Sequence, residues 1–94
     1  MVDWELEGFL DGLDAWIAQE TTDGTLRIVV TEWVLGRMND PYQGVQREPG
    51  FPNLWFGVVP GSWRDGKVVV CSYFIFEAKH IVRCDSFATL ALPI

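Results

Sequence analysis

Both cysteines of the chain and its only histidine lie within one short stretch, Val68–Ser86. Cysteine and histidine are the side chains that most often bind zinc in proteins, and two cysteines of one hairpin could also form a disulfide. The same stretch is rich in Val, Ile, Phe and Tyr, which favour β-strands. The stretch therefore has three possible interpretations: a metal site that includes Cys71, His80 and Cys84, a disulfide between the two cysteines, or an ordinary β-hairpin.

If this stretch forms a hairpin with a tight turn around residues 78–79, the expected distances among the two cysteines and the histidine distinguish these alternatives. Its register pairs Phe76 with Ile81, Tyr73 with Cys84 and Ser72 with Asp85, and it directs to the core Val69, Cys71, Tyr73, Ile75, Val82 and Cys84. The two cysteines are then diagonal neighbours with Cα atoms roughly 7 to 8 Å apart, beyond comfortable disulfide reach. His80 lies about 13 Å along the strand from Cys84, whereas zinc ligands lie about 2 Å from the metal. We predict free, buried thiols and no metal site.

Other common catalytic arrangements are weakly represented. Asp11 and Asp14 have the spacing of neighbours on a helix, but exposed acids on an amphipathic helix are commonplace. Ser72, Ser86 and His80 could supply a nucleophile and a base, yet the chain has no GxSxG motif. The glycines match neither a P-loop nor a dinucleotide-binding motif, so no cofactor is implied.

One combination of cations and aromatic rings could bind phosphate. In the hairpin register Arg83 stands beside Phe74 on the face away from the core, and Lys79 and Arg64 lie at nearby loop ends. Arginine makes bidentate contacts with phosphate and aromatic rings stack on bases, so this group suits RNA. The alternative is a cross-strand pair of Arg83 with Asp85, beside surface aromatics that a partner covers.

The elements that would position these residues form an α+β fold. Val2, Trp4 and Leu6 alternate with acidic residues, which predicts a short strand and leaves an extra helical turn open as the alternative. The three- and four-residue spacing of apolar residues predicts a helix from about Gly8 to Glu20. A second helix is predicted over Asp23–Met38, apolar nearly all round and therefore covered by both the first helix and the sheet. Because residues 25–30 read TLRIVV, a strand over 25–31 stays open as an alternative. Three strands follow as an antiparallel meander, at about 53–60, 67–76 and 80–88.

Length and charge set the remaining limits. A chain of 94 residues is the size of one domain, so we expect a single unit over 1–94. It is 49% hydrophobic, but no apolar run approaches the length of a membrane span. The amino terminus is acidic and unlike a secretory signal, which predicts a cytoplasmic protein. Net charge is -6, and the absence of a basic patch from the linear sequence argues against nucleic acid as a partner.

With this order of elements the chain resembles the RelE/ParE superfamily of toxins from bacterial type II toxin–antitoxin systems. The residues that carry the resemblance are Asn39-Asp40-Pro41-Tyr42 with Gly44, then Asn53-Leu54-Trp55, then Val68-Val69-Val70-Cys71-Ser72-Tyr73. They are similar to the family's "DPY", "LW" and "RVxY" motifs. The resemblance implies a short strand and two-helix hairpin packed on a carboxy-terminal meander. It also implies a cytoplasmic toxin with an antitoxin partner, which acts on mRNA at the ribosome or on DNA gyrase.

The resemblance also marks departures. Family members usually carry basic residues after the "LW" pair and three positions before the tyrosine, where this chain has Phe56, Gly57 and Val70. If the chain is an enzyme, the resemblance implies a metal-independent endoribonuclease in which a ribose 2'-hydroxyl attacks. Its catalytic candidates are then Arg83 and Arg64 on the phosphate, His80 as acid or base, and Tyr73.

The alternative function is a non-catalytic protein-binding module that retains the toxin-like scaffold. Its exposed binding candidates are Phe74, Trp63 and Lys79. The sequence leaves a homodimer open.

Overall fold

In the computed structural model, which describes residues 3–19 and 23–91, two helices pack on one face of a five-stranded sheet. In chain order the elements are β1 (Glu5–Glu7), α1 (Phe9–Gln19), α2 (Gly24–Gly36), β2 (Gln46–Arg47), β3 (Leu54–Val58), β4 (Lys67–Phe76) and β5 (Ile81–Ala91). A short 3-10 turn, Glu77–Lys79, joins β4 to β5. The α+β prediction is confirmed. Val2 and Glu20, which bounded two of the predicted elements, lie outside the described residues.

The sheet has the order β1-β5-β4-β3-β2. Its centre is the predicted meander, in which β4 pairs antiparallel with both β3 and β5. Two further pairings extend it, because β1 runs parallel to β5 and β2 runs antiparallel to β3. The short amino-terminal strand was predicted, but its partner was not, because β1 pairs with a segment far away in the sequence. The strand β2 was missed because two residues are too few to leave a periodic pattern.

The second helix begins and ends near the residues that the sequence indicated. The Asp23 carboxylate accepts a hydrogen bond of 2.6 Å from the Leu26 amide, as an N-cap residue does. The helix ends at Gly36, ahead of Pro41, which cannot continue a helix. Residues 25–31 are therefore helical, and the alternative of a strand is wrong. The prediction that this helix is covered on both sides is also wrong, since Ile28 and Leu35 are 59% and 55% exposed.

The core lies between the helices and the sheet. The helix-facing side of the sheet contributes the predicted residues Val69, Cys71, Tyr73, Ile75 and Val82, and the helices add Phe9, Leu13, Trp16, Leu26, Val30 and Val34. The indole Nε1 of Trp16 donates a hydrogen bond of 2.9 Å to Thr89 Oγ1, which fixes α1 over β5. Burial of these aliphatic and aromatic side chains is the main stabilising contribution, at about 1.5 to 3 kcal/mol for each full burial.

Close approach of α1 to β5 depends on Gly12. A Cβ atom at this position would lie 2.7 Å from Cys84 Sγ and 3.3 Å from the Phe87 ring, so a larger residue cannot enter without movement. Cys84 is itself half-buried rather than buried, and both thiols are free. Burial, followed by a hydrogen bond with Cys84, raises the pKa of the Cys71 thiol.

One irregularity interrupts the central hairpin. Phe76 pairs with Ile81 and Tyr73 with Cys84, as predicted, but a bulge then moves the register so that Ser72 pairs with Ser86. The predicted pairing of Ser72 with Asp85 is therefore wrong by one residue. A bulge inserts one extra residue into one strand, and here it lets Asp85 and Ser86 both reach Ser72.

Candidate functional site

The face of the sheet opposite the helices has no helix over it in the described part of the chain. We call it the open face, and its residues are those that alternate with the core positions: Leu54, Phe56 and Val58 on β3, Val68, Val70, Ser72, Phe74 and Phe76 on β4, and Ile81, Arg83, Ser86, Ala88 and Leu90 on β5. Three regions of different chemistry follow one another along this face.

The first region is the apolar end of the open face. Phe56, Val58, Val68, Val70 and Leu90 line a cavity of about 400 Å³ together with Gln46 and two glycines. Val68 is buried, whereas Val58 and Leu90 are 44% and 45% exposed at its rim. The side chains that line this cavity are all uncharged. An exposed apolar concavity of this kind suits a side chain of another molecule better than it suits a phosphate.

The second region is polar and lies at the bulge. The Ser72 hydroxyl donates a hydrogen bond of 2.8 Å to the Asp85 carboxylate and lies 3.0 Å from the Ser86 hydroxyl. This cluster contains a carboxylate and two hydroxyls, and the hydrogen bonds among them satisfy the Ser72 hydroxyl. The sequence paired Ser72 with Asp85, yet it did not indicate that both neighbours would contact one hydroxyl.

The third region is the corner formed by β1 and the start of β5. Arg83 Nε and Nη2 lie 3.1 and 3.0 Å from the same oxygen of Glu7, and the Arg83 guanidinium stands 4.9 Å from the centre of the Phe76 ring. Arg83 is therefore on the open face beside aromatic rings, as predicted. Its charge is matched by the Glu7 carboxylate rather than by Asp85, and the sequence missed this partner because β1 joins the sheet by a non-local pairing.

His80 and Tyr73, two of the predicted catalytic residues, point away from Arg83. The imidazole of His80 stacks on the Trp4 indole with centroids 3.9 Å apart, and its buried Nδ1 has no hydrogen-bond partner among the described residues. Tyr73 lies on the core face, where its hydroxyl donates a hydrogen bond to the buried carbonyl of Pro41. Burial raises the pKa of Tyr73, so its hydroxyl stays protonated at neutral pH.

Arg64 lies at the other end of the sheet. Its Nη1 donates hydrogen bonds of 3.0 and 2.7 Å to the carbonyls of Gly61 and Trp63, and its Nε is 3.8 Å from Asp23. The backbone of Arg64 pairs with that of Lys67, the first residue of β4. The residue of β4 opposite Arg83 is Phe74, seven positions further along the strand. Seven residues of a strand span about 23 Å. The structure therefore does not bring the four predicted catalytic residues together.

The predicted binding residues are also divided between the two ends. Phe74 is half-buried on the open face with its ring 6.4 Å from that of Phe76, and Lys79 is exposed at the adjoining turn. Trp63 is 51% exposed but belongs to the loop at the far end. The apolar end of the open face was not predicted as a site, although the alternation of Val68 and Val70 with core residues was a signal that could have indicated it.

Arg37 is a further residue that the sequence did not single out. It is buried, with its guanidinium 4.3 Å from the centre of the Trp33 ring. Its Nε donates to the Trp33 carbonyl and its Nη1 donates to the Gln43 carbonyl at 2.7 Å. These bonds hold the segment after α2 against the helix, which is a structural role.

Comparisons with known proteins agree with this architecture. The two-helix layer on a mostly antiparallel sheet, with one face open, is a RelE-like α+β fold. A double arginine-to-alanine variant of the E. coli toxin RelE, solved in its free state, is similar to this chain with a TM-score of 0.63. The two are 16% identical, and the likeness covers 94% of this chain and 83% of that one. No family model and no curated protein sequence matches the chain.

Proposed function

We propose that this chain is the toxin-like component of a type II toxin–antitoxin system, and that it acts by binding a protein target rather than by cleaving RNA. The similarity of its fold to the toxin RelE supports the first part. The observation that carries the second part is the apolar end of the open face, where an uncharged cavity of about 400 Å³ faces outward. DNA gyrase is the protein target that the family resemblance offers.

The distribution of charge on the open face supports binding over cleavage. Cleavage of a phosphodiester requires cations aimed at the charge that develops in the transition state. The cation that the open face presents, Arg83, is paired with Glu7, and Arg64 is bound to its own loop. An apolar cavity instead gains free energy when it receives an apolar side chain, at about 25 cal/mol for each Å² removed from water.

The second candidate is a metal-independent endoribonuclease. It is favoured by Arg83, which stands on the open face beside Phe74 and Phe76, an arrangement that could hold a phosphate and stack a base. In this candidate Arg83 must leave Glu7 for the phosphate, and His80 must leave its stack on Trp4 to act as acid or base.

An expression experiment separates the two candidates. The chain is induced in a bacterial host as wild type, as Val58→Asp and as Leu90→Asp, and both growth and the length of marker mRNAs are followed. Each substitution places a carboxylate at the cavity rim on a residue that is already exposed, so the fold tolerates it. Phe51→Asp is the matched control, since Phe51 is an apolar residue 49% exposed in a loop away from the cavity.

We expect wild type and Phe51→Asp to arrest growth with intact mRNA, and both cavity variants to permit growth. A buried, unpaired carboxylate costs at least about 2 kcal/mol, which weakens target binding roughly 30-fold. Circular dichroism of the purified variants checks that they remain folded. Growth arrest with cut mRNA would establish the second candidate, and unimpaired growth of the wild type would refute a toxin. A supercoiling assay with purified gyrase then tests the target.

A further inference from the structure

The strand β5 has a long edge that no other strand covers. It runs over Ile81–Ala91, but β1 pairs with its residues 81–83 alone, so residues 84–91 have β4 on one side and no described strand on the other. Within residues 3–19 and 23–91, the backbone groups of 84–91 make no hydrogen bond outside the ladder with β4. We call residues 87–91 of this strand the free edge.

The hydrogen bonds of β4 show which backbone groups of the free edge point outward. The Val69 carbonyl accepts a hydrogen bond of 2.9 Å from the amide of Val59, which follows β3, so the odd-numbered residues of this part of β4 face β3. The even-numbered residues face β5, where they pair with residues 86, 88 and 90. Phe87, Thr89 and Ala91 lie between these positions and therefore direct their amide and carbonyl groups away from the sheet.

The free edge differs in chemistry from the two outer strands. β2 has two residues and ends in Arg47, whose guanidinium bonds to the Phe51 carbonyl, and β1 has three residues of which Glu5 and Glu7 are acids. Short and charged edges resist pairing with another chain. The free edge reads FATLA, without a charge or a proline. It therefore presents strand hydrogen-bonding groups that nothing in its own sequence protects.

A second copy of the chain supplies a matching edge. Antiparallel pairing across a two-fold axis joins the same edge of both copies, so each satisfies the other. A register centred on Thr89 places Phe87 opposite Ala91 of the other copy and forms about six main-chain hydrogen bonds. Asp85, the nearest acid on the strand, then lies outside the paired segment.

The helix α1 leaves room for this approach. It lies over β5, and the flank that carries Leu10 faces the cavity beside α2, which Asp11 also lines. The opposite flank faces the outer side of β5 and carries Gly12, Ala15 and Gln19, at the spacing i, i+3 and i+7. These three residues are small or uncharged. Two copies of α1 would thus face each other across the axis without opposing carboxylates.

We propose that two copies of this chain pair through their free edges, with antiparallel β5 strands, to form one continuous sheet. The two open faces then make a single surface, with Leu90 of each cavity rim near the junction. The net charge of -6 on each copy opposes this association, so salt strengthens the dimer. The dimer does not depend on the proposed function.

Sedimentation equilibrium of the purified chain tests the pairing. We expect a mass of twice the 10.7 kDa of one chain at millimolar concentration, and a dissociation constant that falls as salt is added. Ala91→Pro removes an outward amide but no hydrogen bond to β4, and should weaken the dimer about tenfold or more. Ala91→Ser is the matched control, because it keeps the amide and should leave the dimer intact. Circular dichroism checks the fold of both variants.

Hydrogen exchange of the wild type locates the interface without any substitution. The amides of Thr89 and Ala91 should exchange quickly in the dilute monomer and slowly in the concentrated dimer. Those of Ala88 and Leu90 bond to β4 and should be slow in both, which makes them internal controls.

Three results would overturn the proposal. One is a chain that stays monomeric at millimolar concentration, and another is exchange at Thr89 and Ala91 that does not change with concentration. The third is a dimer that Ala91→Pro leaves intact and Leu35→Ser dissociates, since the helices would then form the interface. None of these measurements uses toxicity. Val58→Asp lies on β3 away from the free edge, so its effect on growth tests the proposed function separately.

Discussion

Substitution of Gly12 by Ala tests whether α1 packs on β5 as closely as the structure shows. Alanine is favoured over glycine in a helix by about 1 kcal/mol. The new methyl group, however, would lie 2.7 Å from Cys84 Sγ and 3.3 Å from the Phe87 ring. Overpacking of this kind costs about 1 to 3 kcal/mol. We therefore expect Gly12→Ala to lower the free energy of unfolding by about 1 kcal/mol, despite the gain in helix propensity.

The same substitution should reverse its sign when the sulfur atom is removed. In a Cys84→Ala background the methyl group of Gly12→Ala occupies the space left by Sγ, and the helix propensity then stabilises the protein by up to about 1 kcal/mol. The coupling free energy of the double-mutant cycle should therefore be about 2 kcal/mol, which residues in direct contact can show.

Urea denaturation followed by circular dichroism measures all four proteins of this cycle. Gly36→Ala is the matched control, because a methyl group there meets nothing within 4 Å and should have the same effect in both backgrounds. For a domain of this size 1 kcal/mol also corresponds to a shift of about 4 to 8 °C in Tm. A coupling free energy below about 0.5 kcal/mol would refute the close contact of α1 with β5.

Two further predictions concern tyrosines. Tyr73→Phe should destabilise the protein by about 1 to 2 kcal/mol in urea denaturation, because a buried carbonyl loses its hydrogen-bond donor, and an unchanged midpoint would contradict that bond. The pKa of Tyr42 is raised from 10.0 to about 12 by burial, by its hydrogen bond to Glu77 and by nearby carboxylates. The neutral phenol therefore contributes stability that is complete below pH 10 and is lost as pH rises toward 12. Ultraviolet titration of tyrosinate should show this ionisation moving toward pH 10 in Glu77→Gln, and an unmoved ionisation would exclude the contribution of Glu77.

Local patterns predicted most of this fold. Alternation of apolar residues in β4 placed Val69, Cys71 and Tyr73 on the core face, and the N-cap aspartate located the start of α2. Both patterns depend on neighbours in sequence, which is why they could be recognised. The pairing of β1 with β5 and the bulge could not be predicted in this way. The first joins distant segments through three residues, and the second depends on which of two adjacent polar residues, Asp85 or Ser86, faces Ser72.

The candidate site was predicted less well, because the type of a residue does not determine which way its side chain points or which partner it meets. Arg83 was placed on the correct face, but its partner Glu7 comes from the far end of the chain. His80 adopts a left-handed backbone conformation with φ of 57°, and its ring stacks on Trp4. A left-handed conformation is uncommon for a residue other than glycine, and it leaves no periodic pattern in the sequence. The exposure of Ile28 and Leu35 was likewise not predicted, since a helix that is apolar nearly all round was expected to be covered on both sides.

The parallel pairing of β1 with β5 also bears on the synthesis of the protein. Glu5, Leu6 and Glu7 find their strand partners in residues 81–83, so the amino-terminal strand has nothing to pair with until those residues have left the ribosome. Closing contacts of such wide sequence separation is entropically slow. A nascent chain truncated before residue 81 would thus expose the inner surface of α1 to proteases and chaperones, and its turnover should be rapid.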